Sequence, residues 1–194
     1  MATTLNSEGA SVPTLPEVLP AGDIELRRWR VTHLDDLMAA IESSFADLRR
    51  WMPWAQTMPS RDEEESVLVE GEQSFNEGED FGYLLWELAT GELVGGAGLH
   101  RRIGPGAIEI GYWVRSDRTG RGYATATAKA LTEAAFAHLP DVQRVEIHPD
   151  RANLASAAVP RKLGYTLSRE EERERLSESQ SGMSQIWVIE RSLV

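Results

Sequence analysis

One strand–loop–helix–strand run, set among hairpins, constrains this chain more than any other feature. Ala107 to Val114 reads as a strand, Arg115 to Gly122 as a polar, glycine-bearing loop, and Tyr123 to Leu139 as an Ala-rich helix. Pro140 ends that helix, and Val142 to His148 reads as a second strand with Val142, Val145 and Ile147 as its apolar positions. Ala124, Ala128, Leu131, Ala135, Phe136 and Leu139 lie on one side of the helix, so it packs through a single face. A crossover of this kind joins parallel strands, and hairpins join antiparallel ones. The chain is therefore expected to be α/β with a mixed sheet.

The flanking segments supply the hairpins. Ile24 to Val31 roughly alternates and reads as a strand. Thr32 with Asp35 resembles a capping box, followed by Leu34, Leu37, Met38 and Ile41 at helical spacing. A short helical piece with Leu48 and Trp51 stops before Pro53. Ser60 with Glu63 is a second capping box, opening a helix to about Asn76. Phe81 to Leu88 and Leu93 to Arg101 form a hairpin about Thr90-Gly91. After the crossover, Asn153 to Leu163 reads as a helix closed by Gly164, and Tyr165 to about Arg175 pairs with Ser184 to Arg191 across Ser181-Gly182. The order is β-α-α-β-β-β-α-β-α-β-β, without internal repeats. Pro13, Pro16 and Pro20 make residues 1–22 a flexible or extended arm, and one domain is expected over 23–194.

Composition excludes several classes. The 194 residues carry 20 Lys and Arg against 31 Asp and Glu, a net charge of −11, which argues against nucleic-acid binding. No apolar run approaches a membrane span, and residues 1–22 lack the basic and apolar regions of a signal peptide. With no Cys there is no thiolate metal site and no cysteine nucleophile, and a cytoplasmic location is the expectation. His33, His100, His138 and His148 lack metal-ligand spacing, so no metal is expected.

Charge is unevenly distributed. Residues 60–80 sum to −8, whereas residues 115–129 carry Arg115, Arg118, Arg121 and Lys129 against Asp117. That basic island contains Arg118-Thr119-Gly120-Arg121-Gly122-Tyr123-Ala124, between a strand and a helix. Two glycines at alternate positions let successive backbone N–H groups point inward, and the helix adds its unpaired donors and positive dipole end. Together with Arg118 and Arg121 this is a site for a pyrophosphate; a glycine loop shaped only for a turn is the plainer alternative. No P-loop string exists, and Thr125 stands where a dinucleotide fingerprint wants Gly or Ala.

A second segment, Asn153-Leu154-Ala155-Ser156 running to Lys162-Leu163-Gly164-Tyr165, completes a pattern. Together the two segments resemble the GNAT N-acetyltransferase superfamily, in its RimJ/RimL ribosomal-protein branch. Ile108-Glu109-Ile110-Gly111-Tyr112-Trp113-Val114 and Leu48-Arg49-Arg50-Trp51-Met52-Pro53-Trp54 are similar to that branch too, in the family's order. Thr119 departs from the Gln or Arg usual there, and Pro160 stands inside the last helix, where it should bend or loosen it. Because the phosphate is held mainly by backbone N–H groups, binding is expected to survive the first change.

The resemblance implies acetyl-CoA as donor, lodged where the strand ending Trp113-Val114 splays from the strand Val142–His148. It implies that the backbone near Trp113, Val114 and Arg115 pairs with the pantetheine. Thr119, Gly120, Arg121, Gly122, Tyr123 and Ala124 would hold the pyrophosphate, with Asn153 and Ser156 completing the site. It further implies direct attack of an amine on the thioester, without an acyl-enzyme. Ser156 is the candidate to protonate the leaving sulfur, or a hydroxyl satisfying the helix start. Glu109 is the candidate base, or an ordinary strand carboxylate. Tyr112 and Tyr123 are alternative acids or aromatic packing.

Reference pKa values of 7.7–8.0 for an α-amine and 10.4 for Lys make deprotonation at pH 7 cost roughly 1 and 4–5 kcal/mol. A weak base suffices for the first, which favours a protein N-terminus, such as that of a ribosomal protein, the acceptor class the resemblance implies. A small amine such as an antibiotic or amino acid, and a non-catalytic acyl-CoA-binding module, are the other readings. Trp51, Trp54 and Trp86 would line an acceptor cleft, and the acidic 60–80 segment would attract a cationic acceptor. Relatives in this branch are often dimers, so a homodimer is a state to expect.

Overall fold

The computed structural model of the chain describes residues 14–191. Eight strands form one sheet in the order β1-β2-β3-β4-β5-β6-β8-β7. They are β1 (Val18–Ala21), β2 (Ile24–Arg28), β3 (Asp80–Glu87), β4 (Leu93–His100), β5 (Ala107–Val114), β6 (Arg144–Ile147), β7 (Thr166–Glu172) and β8 (Met183–Glu190). The helices are α1 (Leu34–Trp51), α2 (Arg61–Glu77), α3 (Tyr123–His138) and α4 (Leu154–Lys162). Every neighbouring pair is antiparallel except β5 and β6, the two strands joined by the α3 crossover. The mixed α/β sheet expected from the sequence is thus the observed one.

Strand alternation puts two cores on the two faces. On one, Ala128, Leu131 and Ala135 of α3 pack with Leu26, Tyr83, Leu85, Ile108, Ile110 and Val145 of the sheet. On the other, Leu37, Ile41 and Leu48 of α1 and Leu68 of α2 meet Leu84, Trp86 and Leu93. Along β5 this sends Ile108, Ile110, Tyr112 and Val114 to the α3 face and Trp113 to the α1 face.

The sheet begins earlier than the strand expected at Ile24. Residues 1–13 of the expected arm lie outside the described residues, but Val18–Ala21 pairs with β2, and Leu15 and Leu19 are buried. Pro20 is compatible with a strand because β1 is an edge, where its missing N–H breaks no second ladder. The capping box at Ser60 and Glu63 forms as read. The one at Thr32 and Asp35 does not: Val31–His33 is a 3-10 turn, and α1 starts without a side-chain cap. The two helical pieces expected before Pro53 are the single helix α1.

The β5–β6 register stops at Glu109↔Glu146. Beyond it β5 stays with β4 as far as Gly95↔Val114, and β6 stays with β8 to Ile147↔Trp187. Ile110 to Val114 therefore have no register partner on β6, and the sheet opens between its two parallel strands.

Candidate active site

The glycine loop closes one end of this opening. Gly120 (φ 76°) and Gly122 (φ 85°) hold left-handed backbone, and a β-carbon at either would meet only open space. Glycine is required there for its conformation, not for room. Gly122 is the N-cap of α3 and has no side chain to satisfy the first turn, so the helix presents bare N–H donors and its positive dipole end. A phosphate fits this donor set.

The arginines of the basic island are paired with carboxylates rather than free, and of Arg115, Arg118 and Arg121 only Arg118 lines the cavity beside Thr119 and Gly120. Arg121 donates to Glu87 Oε1 (3.0 Å), and Arg118 pairs with Glu92 and Asp117. Arg115 donates to Asp117 and to the Leu93 carbonyl. Glu87 is 5% exposed and also accepts from Thr90 and from the Tyr123 hydroxyl. The Tyr123 and Thr90 hydrogen bonds, with Arg118 and Arg121 beside them, hold the Glu87 carboxyl below its ordinary range. Two carboxylates from the β3–β4 hairpin thus offset the local positive charge, and the anion site rests on backbone N–H groups.

Trp113, Val114, Thr119, Gly120, Gly122, Tyr123, Ala124, Asn153 and Ser156 line one cavity of about 570 Å³. Nine of the site residues read from the sequence therefore meet in one place. Arg115, Arg121 and Glu109 are outside this lining. Leu48 and Trp51 of α1, with Met52 at its C-terminal cap, form another wall. Trp54 packs on Trp113 with ring centroids 6.2 Å apart. Trp86 instead sits buried against His33 and Arg27. No residue of the acidic 60–80 segment lines the cavity; Glu63 caps α2 and Glu64 is buried.

Asn153 starts α4, its Oδ1 accepting from Ser156 N at 3.1 Å. The Ser156 hydroxyl lies 3.2 Å from the Tyr112 hydroxyl, which also donates to the Ser156 carbonyl at 3.2 Å. That carbonyl is available because of Pro160: four residues on, it has no N–H to return the helical bond. A proline that reads from sequence alone as loosening the helix thus frees the acceptor that seats Tyr112. Burial pushes the Tyr112 hydroxyl up to about 12, with the Ser156 hydrogen bond opposing, so it is protonated at neutral pH. Pro160→Ala should restore a competing N–H and lower turnover by about fivefold, the cost of weakening one hydrogen bond of about 1 kcal/mol. Steady-state kinetics with a circular-dichroism check of the fold would test this; unchanged turnover would contradict it.

Glu109 lies on the opposite face of β5. Arg102 holds both its oxygens, at 2.7 and 2.9 Å. Burial acts to raise its pKa, but the Arg102 hydrogen bond and charge, with His148 and His100, bring it below the ordinary carboxylate range. This leaves Glu109 a weaker base than a free carboxylate. Among the described residues no group of His, Asp and Glu is arranged to hold a metal ion.

Asp150 joins this region to the β7–β8 connection. It is 4% exposed and accepts from Ala152 N, Ser181 N and Ser181 Oγ at 2.8–3.1 Å. Burial opposes ionisation, but those backbone and side-chain donors lower its pKa overall. A carboxyl lowered on folding stabilises the native state above its unfolded pKa of about 3.9 and loses that contribution as pH falls through the folded value. Urea midpoints should therefore drop below about pH 4, and Asp150→Asn should be less stable at pH 7 with a shallower acid limb. An unchanged acid limb would contradict this.

Residues 23–166 match the acetyltransferase (GNAT) domain family. No curated protein sequence matches the chain. Among solved structures, RimL, a ribosomal L7/L12 alpha-N-protein acetyltransferase in complex with coenzyme A, superposes with a TM-score of 0.81 at 22% identity, covering 90% of this chain and 98% of that one. An acetyl transferase from Salmonella typhimurium that modifies the N-terminal serine of 50S protein L7/L12 gives 0.77 at 22%, covering 91% and 100%. The microcin C7 self-immunity acetyltransferase MccE, in complex with acetyl-CoA and AMP, gives 0.79 at 15%, covering 90% and 99%. At these identities the likeness is one of fold.

Proposed function

Because the chain belongs to the acetyltransferase (GNAT) family, we propose that it moves an acetyl group from acetyl-CoA to a primary amine, with a protein N-terminal α-amine as acceptor. The observation that carries the reading is the meeting, in one cavity, of the α3 N-terminus, the unpaired stretch of β5 and the Tyr112–Ser156 pair. Bare N–H groups over Thr119–Ala124 suit a pyrophosphate. The open edge of β5 around Val114 suits the amides of a pantetheine arm, whereas the Arg115 N–H is already bound to the Val94 carbonyl.

Acetyl-CoA supplies an activated thioester carbonyl. The protein's share is to hold it, receive an amine opposite it and manage two protons. Tyr112, protonated and hydrogen-bonded to Ser156, gives a short donor chain on the α3 face for the departing thiolate. The acceptor approaches from the other face, beside Trp113 and the α1 end. An α-amine needs little help to lose its proton near neutral pH. RimL and the Salmonella typhimurium enzyme act on a protein N-terminal amine, which supports the same class of acceptor here.

The test is incubation with acetyl-CoA and paired peptides, one with a free N-terminus and no Lys, the other N-terminally blocked with an internal Lys. Mass spectrometry should find acetylation of the first only. Acetylation of small amines with neither peptide modified would replace the protein acceptor by a small molecule.

A further inference from the structure

The strand opening has a second group of ionisable side chains, on the face away from Ser156. Glu109 and Glu146 are register partners at the last β5–β6 pair, so their carboxylates stand side by side where the strands part. His148 follows one residue past the end of β6, on the same face. Its Nε2 is 2.7 Å from Glu146 Oε2, and its Nδ1 is 4.0 Å from Glu109 Oε2. Glu146 is 1% exposed and also accepts from Arg144. The imidazole itself is 18% exposed, open to solvent and to a small group.

These contacts fix the ring's chemistry. Burial acts to raise the Glu146 carboxyl, but the Arg144 and His148 hydrogen bonds lower it overall. An ionised carboxylate only accepts, so the His148 Nε2–H donates to Glu146, and in the neutral ring the lone pair stands on Nδ1. Nδ1 is too far from Glu109 for a direct hydrogen bond. One nitrogen bonded to both at about 2.9 Å fits between them. Glu109 faces Arg102 and His100, and Glu146 faces Arg144, so each carboxylate has a cation beside it.

Building on the acetyl-transfer reading, we infer that His148 takes the proton from the acceptor amine, that Glu109 holds the incoming ammonium, and that Glu146 orients the ring. The amine arrives with three N–H hydrogens. One passes to Nδ1, giving an imidazolium beside Glu146; the nitrogen forms the new N–C bond as the C–S bond breaks. The second hydrogen ends on the CoA sulfur through Tyr112 and Ser156, and the third stays on the amide. His148 later releases its proton to water. Acid and base thus lie on opposite faces of the sheet opening.

The experiment compares His148→Ala, His148→Asn and His100→Ala with the wild type, using the free-N-terminus peptide. Both His148 variants should keep a CoA affinity within about threefold and lose about 10²-fold in kcat. Added imidazole should restore turnover to His148→Ala and not to His100→Ala. In ¹⁵N-histidine protein loaded with CoA, the His148 ring resonances should move when the peptide is added. Full activity in both His148 variants, no imidazole rescue, rescue confined to His100→Ala, or unmoved resonances would each overturn the assignment while leaving acetyl transfer in place. A wild type that acetylates no amine fails the broader reading and takes this one with it.

Discussion

Ser156→Ala and Tyr112→Phe should each lower kcat by about 10²-fold while leaving acetyl-CoA affinity within about threefold. Both hydroxyls stand 3.2 Å apart in one donor chain, so neither substitution removes a group that grips the pyrophosphate. Ser156 keeps its backbone N–H on Asn153 in either variant, so α4 still starts where it does. The double variant should be little worse than either single one, because two members of one chain do not contribute additively. Single-turnover kinetics beside calorimetric binding would separate the effects. Equal losses in binding and turnover would place Ser156 in donor binding, and no loss would leave it a helix-start hydroxyl.

Gly95→Ala should be far more damaging to the fold. Gly95 faces Val114 across the β4–β5 ladder, and a β-carbon there would overlap the Trp113 carbonyl oxygen and come within 3.1 Å of Val114 Cα. Both neighbours are backbone, so no side chain can swing aside. Relief requires β4 and β5 to part in the stretch that forms the wall of the opening. A loss of about 3 kcal/mol, or about 6–12 °C in Tm, is expected, with loss of acetyl-CoA binding. Gly120→Ala is the contrast, since its β-carbon meets nothing and only the left-handed backbone costs, about 1–2 kcal/mol. Equal Tm values for the two variants would contradict this account of Gly95.

Local signals were the legible ones. The capping box at Ser60, the Thr90-Gly91 turn and the Gly-x-Gly before an Ala-rich helix each depend on residues within a few positions, and each leads to the element observed. The single crossover carried the topology, because it alone demands a parallel pair. Signals that depend on distant partners were hidden. Arg118 and Arg121, in the β5–α3 loop, read as phosphate ligands until Glu87 and Glu92 arrive from the β3–β4 hairpin. Pro160 read as a defect because the hydroxyl that uses the freed Ser156 carbonyl, Tyr112, comes from a different strand. His148 and Glu146 gave a visible clue, two ionisable residues at strand spacing, but their meaning depends on Glu109 across the sheet. The edge strand β1 was obscured by Pro20, which an edge tolerates.

Calorimetric titration of the protein with acetyl-CoA shows whether the opening between β5 and β6 holds the donor. One-to-one binding at micromolar Kd is expected, retained in Ser156→Ala and lost in Gly95→Ala. Salt should weaken it only modestly, since backbone N–H groups rather than free arginines meet the pyrophosphate. No heat of binding with acetyl-CoA would contradict this, and the opening between β5 and β6 would then need another occupant.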